Sequence, residues 1–181
     1  MNGRALERGE PTMAVLSDAD IVAFLDDKSL RIDGYNERNL TPNGYDVTIE
    51  EVLIPSTGLR CKEGTVQIPS NLWFVVATKE YFVLPPTLVG EIWIRTTWTR
   101  KGILASFGRI DAGFNGNLTF SAFNASSGNV DIPIGDRFAQ VVFSELRSRP
   151  KKTYEQRSGN YHQQRGITLE PKSSGPGTRS D

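Results

Sequence analysis

A chain of 181 residues, with 21 Lys plus Arg against 21 Asp plus Glu, has room for one domain with a real core and no global charge to draw it onto nucleic acid. Its one cysteine, Cys61, excludes an internal disulfide and a paired-cysteine zinc site, which fits a reducing cytoplasm. No apolar run approaches the roughly 20 residues of a membrane span, and the polar stretch from Met1 to Thr12 lacks the apolar segment of a signal peptide.

Residues 1–14 read as an extension, with Met13 an alternative start. Ser17 is an N-cap, and the stripe Ile21, Phe24, Leu25 predicts a helix over Ser17–Asp27. Asn39–Gly44 reads as a proline-containing turn. Tyr45–Ile54 (YDVTIEEVLI) is a strand. Short β-branched or aromatic segments follow at Thr65–Ile68, Leu72–Thr78 and Tyr81–Leu84, each bounded by turn residues. Pro85-Pro86 breaks the chain before Leu88–Arg95. Further strands are expected at Ile103–Ser106, Gly116–Asn124, Val130–Ile134 and Phe138–Glu145. Many short strands and one helix predict an all-β barrel or sandwich. Residues 15–148 form this domain. The tail, 149–181, is polar enough to be mobile when unpaired, with its last stretch, Ser173–Asp181, disordered.

Three segments carry chemistry. In Arg95-Thr-Thr-Trp-Thr-Arg-Lys-Gly102, two guanidinium forks and intervening hydroxyls suit phosphate oxygens. Spacing alone also permits a solvated loop with helix-capping threonines. In Gly108-Arg-Ile-Asp-Ala-Gly-Phe-Asn-Gly116, Asp111 could accept a proton from water, and partial burial would raise its pKa towards a useful value. Phe114 could stack under a sugar or base. The same residues also make an ordinary hairpin turn. In the tail, Tyr154–Gly166 (YEQRSGNYHQQRG) could close over a charged ligand, although its composition equally describes a polar tail. His162, the only histidine, is expected to be exposed there. Trp73, Trp93 and Trp98 read as core or interface residues.

In order, these segments resemble the dCTP deaminase/dUTPase superfamily, in particular its deaminase-like branch that includes archaeal dUTPases. The helix LSDADIVAFLDD and the strand YDVTI come first. RTTWTRKGI looks like the family's Arg-Ser-Ser-x-x-Arg-x-Gly element, and GRIDAGFNGNLTFSAFN like its Ile-Asp-x-Gly-aromatic-x-Gly segment with a closing Phe-Asn. IPIGDRFAQVVF is similar to the following strand, and YEQRSGNYHQQRG to the branch's tail. The resemblance implies a homotrimer built on a distorted, dUTPase-like β-barrel (a β-clip), with three active sites at subunit interfaces.

Carried over by position, Arg95, Thr96, Thr97 and Arg100 would hold a triphosphate, and Asp111 would orient or activate water. Phe114 would lie near the deoxyribose, and Thr119, Phe120 and Ser121 on the strand that contacts the base. Gln140, Tyr154 and Gln164 match other ligand-contacting positions. Asn160 replaces a lysine found in some deaminases. Mg²⁺ would arrive on the substrate's phosphates. The deaminases place a proton-moving glutamate ten residues after the motif aspartate. Here that residue is Ser121, and no other Asp or Glu lies between Asp111 and Asp131. A serine cannot shuttle protons near neutral pH without a strong base beside it. The resemblance and this departure imply dUTP hydrolysis to dUMP and pyrophosphate. A dCTP deaminase, alone or bifunctional, and a nucleotide-binding trimer without turnover are the alternatives.

Overall fold

In a computed structural model of the chain, residues 14–105 and 107–172 are described. The elements run in the order α1 (Asp18–Asp26), β1 (Arg31–Asp33), a 3-10 turn (Glu37–Asn39), β2 (Leu40–Thr41), β3 (Gly44–Ile54), β4 (Leu59–Cys61), β5 (Thr65–Ile68), β6 (Trp73–Val83) and β7 (Leu88–Ile94). They continue with α2 (Thr96–Thr99), β8 (Ile103–Ala105), β9 (Arg109–Ile110), β10 (Asn115–Asn124), β11 (Val130–Pro133), β12 (Arg137–Glu145) and α3 (Tyr154–Arg157). The architecture is mostly β, as expected. The expected single helix is joined by two one-turn helices, α2 and α3.

One sheet holds the order β8-β10-β6-β3-β12-β7-β9, with β1, β2 and β4 attached to its sides, while β11 and β5 form a separate pair. The sheet curls because its central strands are bulged. Register shifts interrupt β3 against β6 between Ile49 and Glu51, β12 against β3 between Arg137 and Ala139, and β10 against β6 between Asn117 and Thr119. Each extra residue bends its strand and tightens the local twist. The bulge at Asn117 is clamped: its amide donates to the carbonyls of Thr78 and Glu80 at 2.9 and 3.0 Å, and Leu118 N–H donates to Thr78 Oγ1.

The concave face is filled by aromatic rings. Phe138 packs against Phe74, Trp98, Phe107 and Phe120 with centroids 5.9–6.4 Å apart, and Phe82 meets Phe143. Each such side chain contributes about 1.5–3 kcal/mol by leaving water. Ser17 caps α1 as predicted, forming a reciprocal capping box with Asp20, and Ile21 is fully buried beneath it.

Several boundaries differ from the sequence reading. The two segments expected at Leu72–Thr78 and Tyr81–Leu84 are one strand, β6, because Lys79-Glu80 lie in a bulge opposite β10 rather than in a turn. Ala14 and Val15 belong to the sheet rim: the Ala14 carbonyl accepts from Glu145 N–H, and Val15 bridges to Ser144. The expected end of the eighth strand at Ser106, the extension's first thirteen residues and the disorder expected for Ser173–Asp181 lie outside the described residues. No described helix is long and apolar enough to cross a membrane.

Candidate active site

The curl brings β7 and β9 towards β10, and a cavity of about 390 Å³ opens between them. Ile92 lines it from β7, Arg109 and Ile110 from β9, and Leu118–Ser121 from β10, with Phe107 beneath. Asp111 and Phe114 come from the β9–β10 turn, and Tyr154, Tyr161, Gln164, Thr168 and Leu169 from the tail. Seven of the expected site residues therefore meet: Asp111, Phe114, Thr119, Phe120, Ser121, Tyr154 and Gln164.

Asp111 lies in the turn closed by its own carbonyl accepting from Phe114 N–H at 3.0 Å. It lines the cavity and is exposed in the single chain. Phe114 is buried, with the Tyr154 ring edge-on to it at 5.5 Å. Arg109, which the sequence reading passed over although it immediately precedes Ile110-Asp111, is held by Glu91 at 2.7 Å. Among the described residues, Asp111 is the one carboxylate lining the cavity.

The tail is docked rather than loose. Tyr154 N–H donates to the Ala112 carbonyl, and Gln163 N–H to Asn115. Asn117 N–H donates to the Gln164 carbonyl, and Gln164 makes a parallel bridge with Gly116. The two motif glycines make this possible. A Cβ on Gly113 would stand 2.9 Å from Thr153 Cβ, and one on Gly116 would stand 3.2 Å from Gln164 Cγ. His162, expected to be exposed, is only 5% exposed, because the tail folds back over it. Its Nε2 lies 3.7 Å from Glu155, while Nδ1 is buried without a partner among the described atoms.

The other expected residues lie elsewhere. Arg95, Thr96, Thr97, Arg100 and Gln140 do not line this cavity. Arg95 is held from behind by buried Asp46, Nε to Oδ2 at 2.9 Å, and its Nη1 donates to the Arg137 carbonyl. Arg137 Nη1 reaches the same Asp46 oxygen at 3.2 Å. Burial pushes the Asp46 carboxyl above its ordinary range, against the pull of Arg95 and Arg137. An aspartate inside the apolar strand YDVTI was the sequence signal for this partner. Thr96, Thr97 and Arg100 are exposed on and just after α2. Gln140 donates to Thr41 Oγ1 at 2.7 Å. Trp98 is core, whereas Trp73 and Trp93 are 44% and 60% exposed.

The profile described as dCTP deaminase-like matches residues 59–146. A dCTP deaminase of Pyrococcus horikoshii is 38% identical over 136 residues, 74% of this chain and 85% of that protein. The chain belongs to the dCTP deaminase-like family. A family relative from Sulfolobus islandicus rod-shaped virus 1, named a probable deoxyuridine 5'-triphosphate nucleotidohydrolase, is 32% identical over 162 residues, 86% of this chain and 97% of that one. The fold likeness extends to the crystal structure of 2'-deoxycytidine 5'-triphosphate deaminase from Agrobacterium tumefaciens, with a TM-score of 0.63 at 15% identity. That match covers 75% of this chain, which spans about half the length of the Agrobacterium chain (49%). The superfamily expected from the motif order thus holds, and the dCTP deaminase-like profile runs through the cavity's β7, β9 and β10 walls.

Proposed function

We propose that the cavity takes a pyrimidine deoxynucleoside triphosphate and that the chain hydrolyses dUTP to dUMP and pyrophosphate. One observation carries this reading. Asp111 is the cavity's carboxylate among the described residues, and the base-side position ten residues on, Ser121, bears a hydroxyl. Attack of water at the α-phosphate needs a positioned water, a base and neutralised charge. An exposed carboxylate at the cavity mouth is suited to hold that water. Phe114 under Tyr154 would pack against the sugar, and the backbone of Phe120 and Ser121 would read the base. Arg95, Thr96, Thr97 and Arg100 would take the phosphates of a neighbouring subunit's site, completing three sites in a homotrimer.

Exposed Asp111 at the cavity would stand beside Mg²⁺ carried on the substrate's phosphates. When bound, the ion would supply charge neutralisation on the phosphates.

The relatives' names favour a second reading at least as strongly. The Pyrococcus protein is named a dCTP deaminase, whereas the viral relative's name points to dUTP. Deamination of dCTP, alone or alongside dUTP hydrolysis, would need a proton carrier beside Ser121 other than the missing glutamate. Product analysis separates the two readings. Purified protein with Mg²⁺ is given dUTP and dCTP side by side, and pyrophosphate and ammonia are measured. Pyrophosphate from dUTP without ammonia from dCTP supports hydrolysis. Ammonia from dCTP establishes the deaminase reading, and pyrophosphate absent from dUTP ends the first. Asp111→Asn is expected to abolish turnover while nucleotide still binds.

A further inference from the structure

The resemblance puts Thr119 on the strand that contacts the base, yet its side chain is engaged by the tail. Its hydroxyl donates to the Gly166 carbonyl at 3.2 Å and accepts from Thr168 N–H at 3.3 Å. Both are long for hydrogen bonds and individually modest, but they come from one atom and bracket Ile167. On one side of this crossing Gln164 is already bridged to Gly116 and Asn117. On the other, Thr168 and Leu169 form part of the cavity wall. Between the two, the chain turns at Gly166 in the left-handed region, φ +59°. Arg165 lies with its guanidinium 3.8 Å from the Tyr81 ring centroid. The tail therefore follows β10 from Asn115 to Thr119, and the threonine hydroxyl is the last fixed point before Thr168 and Leu169 complete the wall.

We propose that Thr119 is a positioning residue: its hydroxyl pins the tail so that Thr168 and Leu169 wall the substrate cavity. Just ahead of this point Thr78, Lys79 and Glu80 of β6 bulge opposite Leu118, and the regular pairing of β10 with β6 resumes at Thr119. A pinned wall costs less ordering on ligand binding than one that must be closed each time, so loss of the pin should appear mainly as weaker binding.

Thr119→Val removes the hydroxyl and keeps the β-branched shape that suits the strand. Thr119→Ser keeps the hydroxyl. Hydrogen exchange of the ligand-free protein reads the tail directly. In Thr119→Val, amides of residues 160–169 should exchange about tenfold faster, while those of the β6 core keep their protection; in Thr119→Ser they should stay within about twofold of wild type. Thr119→Ala serves as a second hydroxyl-free variant, and it should follow Val. Wild-type exchange in Val and Ala, or equal loosening in Ser, overturns the pin.

The kinetic half of the test rests on the nucleotide reading of the cavity. For whichever triphosphate is turned over, KM should rise about tenfold in Thr119→Val with kcat changed far less, and Thr119→Ser should restore it. Loosened exchange with an unmoved KM keeps the pin but removes the cavity from substrate binding, so the two ideas fail separately.

Discussion

Glu80 sits in the seam between β3 and β6 with almost no exposure, and Thr48 N–H donates to its Oε2 at 2.8 Å. Burial raises its pKa above 4.5, with the hydrogen bonds from Thr48 pulling the other way. The folded chain therefore holds this proton more tightly than the unfolded one. Stability from Glu80 is full below about pH 4.5 and is lost as pH rises through the folded value. Glu80→Gln keeps an acceptor for Thr48 and removes the titration. Between about pH 4 and pH 7, the melting temperature of wild type should fall relative to that of Glu80→Gln. Parallel curves across that range would show that burial of Glu80 costs nothing. The neighbouring Tyr45 hydroxyl, which accepts from Asn36 N–H at 2.9 Å, is pushed up to about 12 by the same burial. Neither group was legible in the sequence as buried. Lys79-Glu80 reads as a charged turn, and only the bulge that lets β6 run on through it turns the carboxylate inward. His162 misled in the same way, since a polar segment gives no sign of what folds over it.

The tail is the element for which composition and structure disagree most. Its residues 149–172 carry few apolar side chains, so taken alone they bury little surface. What holds them is the track on β10, and that track depends on missing side chains. Gly116 has φ +150°, and a Cβ there would stand 2.9 Å from Phe114 Cζ as well as crowding Gln164. Gly116→Ala should displace the tail and cost about 1–3 kcal/mol in stability. Part of that loss is backbone strain, so Gly64→Ala makes the control: its φ is +72° and nothing lies within 4 Å of the added carbon. Both variants should melt earlier, but only Gly116→Ala should accelerate exchange in residues 160–169. Equal tail exchange in the two would mean that Gly116 serves the turn and not the docking. The strands were far easier to read than this contact, because alternation and turn residues are local signals. Clearance between a glycine and a segment about fifty residues away leaves no local trace.

On the scale of the whole molecule, the single chain presents half of two things. Its cavity gathers Asp111, Phe114 and the tail, while the arginine–threonine segment stands apart, with Arg95 braced on Asp46 and Arg100 exposed. The motif order gave Asp111, Phe114 and the arginine–threonine segment, but neither Arg109 nor Asp46, and it carried no distance between the two sets. Beside the cavity, Trp73, Leu104 and Phe123 line one apolar hollow, and Trp93 lines a second that shares Ala105 with it. Trp73, Trp93, Leu104 and Phe123 are all exposed in the single chain. In the proposed trimer these side chains would meet another subunit, and one chain's Arg95–Arg100 segment would reach the next chain's Asp111. Subunit mixing tests the arrangement without a structure of the assembly. Asp111→Asn and Arg100→Gln should each be inactive alone. Co-refolded at equal amounts, they should regain about a quarter of wild-type turnover, because half the sites draw an intact Asp111 and half of those an intact Arg100 from the neighbour. If both residues served one site from the same chain, every site in the mixture would keep one lesion and no activity would return.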